Sequence, residues 1–554
     1  MSANPVPEFD RTAVASALDA QLGLFRMEEL RLATGRCRDG PTIPQALWYF
    51  VDEAIALPRP GVATAGFSRG MRARADLARW AATHAIGGTL DAPPLIWIGA
   101  PERLRDATLS ADGSTLFAGE ARWAFDLVPK IALNRSYYDG SSTRFFAGRT
   151  LAVRGTSHGS AFTARTLWPE EFRLDPGAPR QAIDSAPEAL RSLVRARPQG
   201  GAREPFNAIV LWEREPGAVR RWDGAPVLAA LLNGAQGDDD EAHAGHFALV
   251  TGYVGADGAI GEWITNNFYT LDAESEKGIL PAMVPLDNYL GDLNSGQAWY
   301  RPSYLVVAVL KRERVTRHIQ GALERTYNQF YRHQLVYRHA TMNCASISVD
   351  VLRVLGLDVL VRGPTSRLAA WLGFPYFALR DRSLAKAAQT FDYLTEDRTR
   401  LMPAAAFEEI GARMLGLARG GAGTPSALEA ALGEDLEAIV FLSVPQFPSS
   451  RAWGTYPVAT AWEYRDRYPS DPAKAKIIPV PMRPFPDALR DEDLLPPPRE
   501  RSEVAVAIWA IISIVGIPWL AWRAWQRIRK GRADRMAASR GTETAPSGNA
   551  PTPQ

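Results

Sequence analysis

Two residues have the types and settings to do covalent chemistry together: Cys344 and His246. Cys344 lies in Thr341-Met342-Asn343-Cys344-Ala345-Ser346-Ile347-Ser348-Val349-Asp350-Val351-Leu352-Arg353-Val354-Leu355-Gly356. Ile347, Val351, Leu352 and Leu355 recur at helical spacing and make one apolar stripe. Gly356 is a stop just past the last periodic residue. Thr341 or Asn343 can cap the start, because each offers an oxygen to free backbone N–H groups. The stretch therefore predicts a short buried helix with Cys344 in its first turn. The partial positive charge there favours a thiolate over a thiol, and a thiol becomes a working nucleophile beside a base.

The base that suits it lies upstream, in His243-Ala244-Gly245-His246-Phe247-Ala248-Leu249-Val250-Thr251-Gly252-Tyr253-Val254. This reads as a buried strand, with His246, Ala248 and Val250 on one face and Phe247, Leu249 and Tyr253 on the other. Gly255-Ala256-Asp257-Gly258 is a turn, and Glu262-Trp263-Ile264-Thr265-Asn266-Asn267-Phe268-Tyr269 a second strand. Such a hairpin sets Asn266 or Asn267 beside the histidine strand, where an amide can orient the imidazole. Read singly, a cysteine on an apolar helix is a small core residue and a strand histidine a satisfied polar group. Gly-His-apolar on a strand followed by Asn-Cys opening a helix is what turns them into a pair.

That order, "GHFALVTG" and later "NCASISVDVLRVLG", resembles the circularly permuted papain-like thiol enzymes. These include the NlpC-like hydrolases, the lecithin:retinol acyltransferase group and the bacterial lipoprotein N-acyltransferases of the Lnb type. The resemblance covers roughly residues 205–360. It implies an α+β, NlpC-like core, with His246 as base, Cys344 as nucleophile and a third polar group; a membrane anchor would tilt the substrate toward a lipid or lipoprotein acyl group.

Other readings compete for the chemistry. Gly66-Phe67-Ser68-Arg69-Gly70 and Gly155-Thr156-Ser157-His158-Gly159 match Gly-x-Ser-x-Gly. A serine nucleophile elbow needs a strand before it, a helix after it and an acid and a histidine later in the chain. "RTLAVRG" supplies a strand before Ser157, and His243 or His246 a later base. His333 and His339 lie near Cys344 in sequence, and His339 rivals His246 as its base. Asp238-Asp239-Asp240-Glu241 reads as a solvated loop that could also raise a histidine pKa or hold a cation. No Cys/His set has zinc spacing, and no cofactor motif is present.

The elements that must position these groups are read from the rest of the chain. Its 554 residues, 46% hydrophobic and 22% charged, can bury a sizeable core split over several domains. A formal charge of +2 gives no argument for nucleic acid. Cys37 and Cys344 make no disulfide framework. Residues 1–90 read as helical, without a signal peptide at the start, and 91–200 as β-rich ending in a Pro/Gly/Arg-rich connection. "FNAIVLWERE" reads as a strand and "APVLAALLNGA" as a short helix. The thiol domain spans 201–375, a helical appendage 376–490 and a linker 491–503. Val504–Trp522, "VAVAIWAIISIVGIPWLAW", carries no charge and would reach about 28 Å as a helix, enough to cross a bilayer. Trp519, Trp522 and Trp525 suit an interface, and "RAWQRIRKGRADR" begins a basic, then polar tail over 523–554. The expectation is a permuted papain-like α+β core with helical additions at both ends and one C-terminal transmembrane helix. Its bilayer would be the inner membrane, with the basic tail cytoplasmic and the body periplasmic by the positive-inside rule, the alternative being a cytosolic, tail-anchored body.

Overall fold

The computed structural model describes residues 22–26, 53–58, 73–88, 96–100, 102–130, 138–270 and 279–331. It also describes 335–478 apart from 336, 422 and 450, and a few positions between 519 and 527. The fold is α+β. Two compact units emerge: Met1–Thr365 with Glu396–Pro498, and Ser366–Thr395 with Arg499–Gln554.

Three β assemblies order the first unit. Strands β1 (Leu22–Arg26), β2 (Ala54–Pro58) and β3 (Ile96–Gly99) form a small sheet. Strands β4 (Glu102–Leu109), β5 (Thr115–Ala118), β6 (Ala121–Leu127), β7 (Leu151–His158) and β8 (Ala161–Pro169) close a barrel. The third is a seven-stranded sheet of β9 (Asn207–Glu213), β10 (Pro226–Asn233), β11 (His246–Tyr253), β12 (Ile264–Thr270), β13 (Ile279–Pro285), β14 (Ser303–Leu310) and β15 (Leu436–Val444). Its order is β13-β12-β11-β10-β14-β15-β9, antiparallel throughout.

Every residue of β10 and β14 is buried. Successive side chains alternate between faces, so both faces of the sheet are covered. Val227, Ala229 and Leu231 join one core with Leu305, Val307 and the barrel residues Leu104, Trp123 and Phe162. Leu228, Ala230 and Leu232 join a second with helix residues such as Ile319, Ile347 and Ile410. This corrects the reading of "APVLAALLNGA": the run is the central strand β10, not a helix. A short apolar run carries no period that separates a doubly buried strand from a buried helix. Likewise Ala54–Pro58, within the stretch read as helical, is a strand. Leu436–Val444, within the stretch read as a helical appendage, lies in the main sheet between β14 and β9.

The barrel runs β4-β5-β6-β8-β7 and back to β4, with β6 and β8 parallel. Helix α1 (Gly140–Phe146) falls between its third and fourth strands, and its Phe146 is wholly buried in the core the barrel shares. A buried charge network ties the barrel to the main sheet. Arg154 of β7 donates from Nε to both Asp287 carboxylate oxygens, at 3.1 and 3.0 Å, and from Nη2 to Glu262 at 2.9 Å. Arg103 of β4 pairs with the same two carboxylates. Removing one partner would strand a charge where water cannot reach it. Asp287→Ala is therefore expected to lower unfolding free energy by about 3–5 kcal/mol in a denaturant titration. Glu171→Ala, which breaks the exposed Arg149–Glu171 pair, is expected to change it by less than about 1 kcal/mol.

Helices cover the other face of the sheet or bridge its ends: α2 (Leu286–Gly291), α3 (Arg314–Tyr331), α4 (Cys344–Val354) and α5 (Pro403–Ala418). In the second unit, α6 (Arg367–Arg380) and α7 (Leu384–Thr395) form a helical hairpin around Phe374 and Ala387. The expected transmembrane architecture needs correction. Among the described residues no helix is long and apolar enough to cross a membrane. Val504–Trp522 lies outside the described residues except for Trp519 and Trp522. A single-pass helix, and the inner-membrane placement built on it, are therefore not supported. A run of apolar residues satisfies the length requirement for a span without showing that a continuous helix forms.

Candidate active site

His246 is the first residue of β11, and Gly245 before it explains why. Gly245 has φ +72°, and a Cβ there would overlap the carbonyl oxygen of Asn233 on the neighbouring strand. Only glycine makes that turn against β10 without strain. In the ladder that follows, Asn233 faces His246 and Leu249 faces Asn266. The antiparallel register separates the two asparagines that the sequence left as alternatives. Asn267 Oδ1 lies 2.8 Å from His246 Nε2. An amide oxygen only accepts, so Nε2 carries the proton and Nδ1 is left to receive one. Asn266 turns the other way. Its amide donates to Leu249 O at 3.1 Å and exchanges hydrogen bonds with Gln320 of α3 at 3.0 Å. Both asparagines are buried, but only Asn267 serves the histidine.

Cys344 is the first residue of α4, and Asn343 is its cap. Asn343 Oδ1 accepts from the N–H groups of Ala345 and Ser346 at 3.0 and 2.9 Å, and Ser346 Oγ accepts from Asn343 N–H at 2.7 Å. The Asn343 amide also donates to the carbonyls of His339 and Leu401, at 2.8 and 3.0 Å. The residue before the cysteine thus fixes the helix start and ties it to two neighbouring segments. Thr341, the other possible cap, gives its carbonyl to Arg400 and its N–H to Arg338 O instead.

Helix α4 packs on β11, and the thiol meets the histidine there. Cys344 is 4% exposed. Burial pushes the thiol pKa up, but the charge of the neighbouring His246 imidazole acts against it. Hydrogen bonds from His246, the Phe247 N–H and the Tyr337 hydroxyl add to that, and the balance lies below the ordinary thiol value. Since Nε2 is engaged with Asn267, the hydrogen bond to the thiol falls to Nδ1. The Cys344 N–H donates to the Tyr337 hydroxyl at 3.3 Å. One tyrosine oxygen therefore touches both the nucleophile's backbone and its sulfur.

Three further residues shape the site, and motif reasoning missed them. Asn233, opposite His246, donates to Ser303 Oγ at 2.8 Å and accepts from the Tyr289 hydroxyl of α2. Arg301 is buried, donating to Gln297 Oε1 at 2.9 Å and to Gly234 O at 3.2 Å. Tyr289 and Arg301 both feel the charge of Cys344; burial pushes the phenol up and the guanidinium down. None of the three belongs to a local pattern, and only pairing of β10 with β11 and β14 brings Asn233 to the site. Tyr337 had a faint signal, seven residues before the cysteine in an aromatic run.

The rivals are placed differently. His339 is exposed, edge-on to Tyr337. His243 sits 3.4 Å from Asp240 with its ring edge-on to Tyr464, and burial pushes its pKa down. Ser157 is inside the barrel hairpin β7–β8, its N–H donating to Glu102 at 2.9 Å, with a strand rather than a helix after it. Gly155 of the same motif is a packing glycine: a Cβ there would overlap Thr163 O and the Phe162 ring. Ser68, Cys37 and His333 lie outside the described residues. The acidic run is pinned rather than solvated. Asp238 pairs with Arg451 at 2.5 Å, Asp239 caps the turn and is buried, and Asp240 accepts from Lys476 N at 2.8 Å. Among the described residues no group of three or more His, Cys, Asp or Glu could hold a metal ion.

Comparison with protein-family models, with characterised proteins and with solved structures yields no match in any of the three.

Proposed function

We propose that the chain is a cysteine-dependent acyl-transfer enzyme acting on an ester or amide, as hydrolase or acyltransferase. The observation that carries this reading is the relay from the Asn267 amide through the His246 imidazole to the Cys344 thiol at a capped helix start. The resemblance to papain-like thiol enzymes points the same way.

The chemistry follows from the geometry. His246 Nδ1 takes the thiol proton, and Asn267 holds the imidazolium in register as it forms. The Cys344 sulfur attacks the carbonyl carbon. A C–S bond forms while the carbonyl π pair moves onto oxygen. The Cys344 N–H and the Tyr337 hydroxyl, which bond to each other in the resting site, are the groups that would turn to donate to that oxygen. Collapse breaks the bond to the leaving alcohol or amine, which takes the proton from His246. Water or an amine, deprotonated by the same imidazole, then attacks the thioester and frees Cys344.

The test is site-mapped labelling of the full chain with an alkylating thiol probe across pH. A depressed thiol pKa means that thiolate persists below the range where a free cysteine reacts. Cys344 is expected to label with a rate midpoint below the ordinary thiol value. His246→Ala is expected to move that midpoint up, because the imidazole no longer offsets burial. A Cys344 that labels only at alkaline pH, with no response to His246→Ala, would instead identify a non-catalytic core thiol.

A further inference from the structure

The hairpin of the second unit has its apolar residues on the wrong side for a purely structural element. Its inner face is packed: Ala370, Phe374 and Ala387 are buried, with Phe377, Ala378, Leu384 and Phe391 packed against Phe374 and Ala387. Yet α6 also exposes Leu368 by 69%, Leu372 by 68%, Tyr376 by 58% and Leu379 by 79%. At 3.6 residues per turn these four fall within an arc of about 80°. The other exposed residues of α6 are Arg367 and Arg380, at its two ends. Helix α7 shows the usual pattern, exposing Ala385, Lys386 and Gln389. Single exposed leucines need no explanation, but a continuous stripe does.

We propose that α6 lies along an anionic lipid surface, with Leu368, Leu372, Tyr376 and Leu379 at the headgroup–acyl boundary. Charge selects this occupant. Residues 366–395 hold four basic side chains, Arg367, Arg380, Arg382 and Lys386, against two acidic ones, Asp381 and Asp392. Asp381 is already held by Arg380, at 2.7 and 3.0 Å. Arg367 at one end and Arg382 and Lys386 beyond the other are exposed, and no acidic residue interrupts the stripe. Long cationic side chains can lay their stems on apolar surface and keep their heads among phosphates. Tyr376 suits the same depth, apolar in its ring and polar at its tip. A helix of 14 residues is about 21 Å long, short of a bilayer core, so it lies on the surface and does not pass through it. This attachment is independent of the acyl-transfer reading.

The test places the photo-crosslinking residue p-benzoylphenylalanine at Tyr376 in the full chain, and separately at Gln389 as a control. Each protein is irradiated with vesicles of equimolar phosphatidylcholine and phosphatidylglycerol, or of phosphatidylcholine alone. The expected result is a lipid adduct at 376 about tenfold more abundant than at 389. It should weaken on neutral vesicles and fall about tenfold in Leu368→Ser/Leu372→Ser/Leu379→Ser. An unchanged far-ultraviolet circular dichroism melt verifies folding of each variant. The proposal is overturned by an adduct to a second copy of the chain, by one to another segment of the same chain, or by no lipid adduct with either vesicle.

Discussion

Cys344→Ala is expected to abolish turnover of any ester or amide the protein accepts, by about 10⁴-fold or more, while the chain stays folded. Loss of a nucleophile removes the covalent route itself and leaves only what binding and the oxyanion donors supply. The fold should tolerate the change because one sulfur is lost from a helix start held by Asn343, not by the cysteine. A cavity of that size costs about 0.5–1.5 kcal/mol. Cys344→Ser should be nearly as inactive, since a hydroxyl keeps the shape but is far less acidic than a thiol. Cys37→Ala should keep full rate. The measurement is release of p-nitrophenolate from a series of short- and long-chain esters, with mass spectrometry for an acyl adduct on Cys344. Equal losses in Cys37→Ala and Cys344→Ala, or turnover persisting in Cys344→Ala, would remove the thiol from the reaction.

The second large effect is a split between adjacent asparagines. Asn267 holds His246 Nε2, and Asn266 serves Gln320. His246→Ala is expected to cost about 10²–10⁴ in kcat/KM through loss of the general base. Asn267→Ala is expected to cost about 10²-fold, because an imidazole free to rotate spends less time aimed at sulfur. Its loss should fall on kcat and shift the pH–rate profile, with little change in melting temperature. Asn266→Ala should do the reverse. It removes both hydrogen bonds between Asn266 and the buried Gln320 amide, which keeps only the Thr251 hydroxyl and the Met283 sulfur, a penalty of about 1–3 kcal/mol seen in the melt, with activity retained at low temperature. A merely structural Asn267 would lower stability and leave the pH profile in place.

That split also marks what could be read from sequence. The cysteine helix was legible because stripe, cap and stop agree within sixteen residues. The histidine strand was legible because glycine turns frame it on both sides and a second strand follows directly. Choosing between Asn266 and Asn267 requires the register, which depends on a ladder closed across a turn and is not encoded at either residue. β10 was misread because burial on both faces erases the alternation that would name it. The contributions of Asn233, Tyr289 and Arg301 depend on strands and a helix distant in the chain, so no local pattern announces them. Tyr337 is near enough in sequence to be noticed, but nothing in its neighbours shows that its hydroxyl meets the cysteine.

The place where the α6–α7 hairpin leaves and rejoins the chain bears on how such a protein can vary. Pro364 and Asp397 face each other in an antiparallel bridge, and the Arg398 N–H donates to Gly363 O at 3.0 Å. Asp397 also accepts from the Arg362 N–H at 3.1 Å and pairs with Arg353 of the nucleophile helix at 3.1 Å. The two ends of residues 366–395 are thus sewn together by groups that lie outside them. Closing a loop whose ends already meet costs little more for thirty residues than for five. Insertions with adjoining ends are the kind that chains accept, shorten and trade. The hairpin is then an exchangeable cassette. A lineage could refit what the protein attaches to by rewriting those residues, while the stitch at Pro364 and Asp397 keeps the sulfur in place.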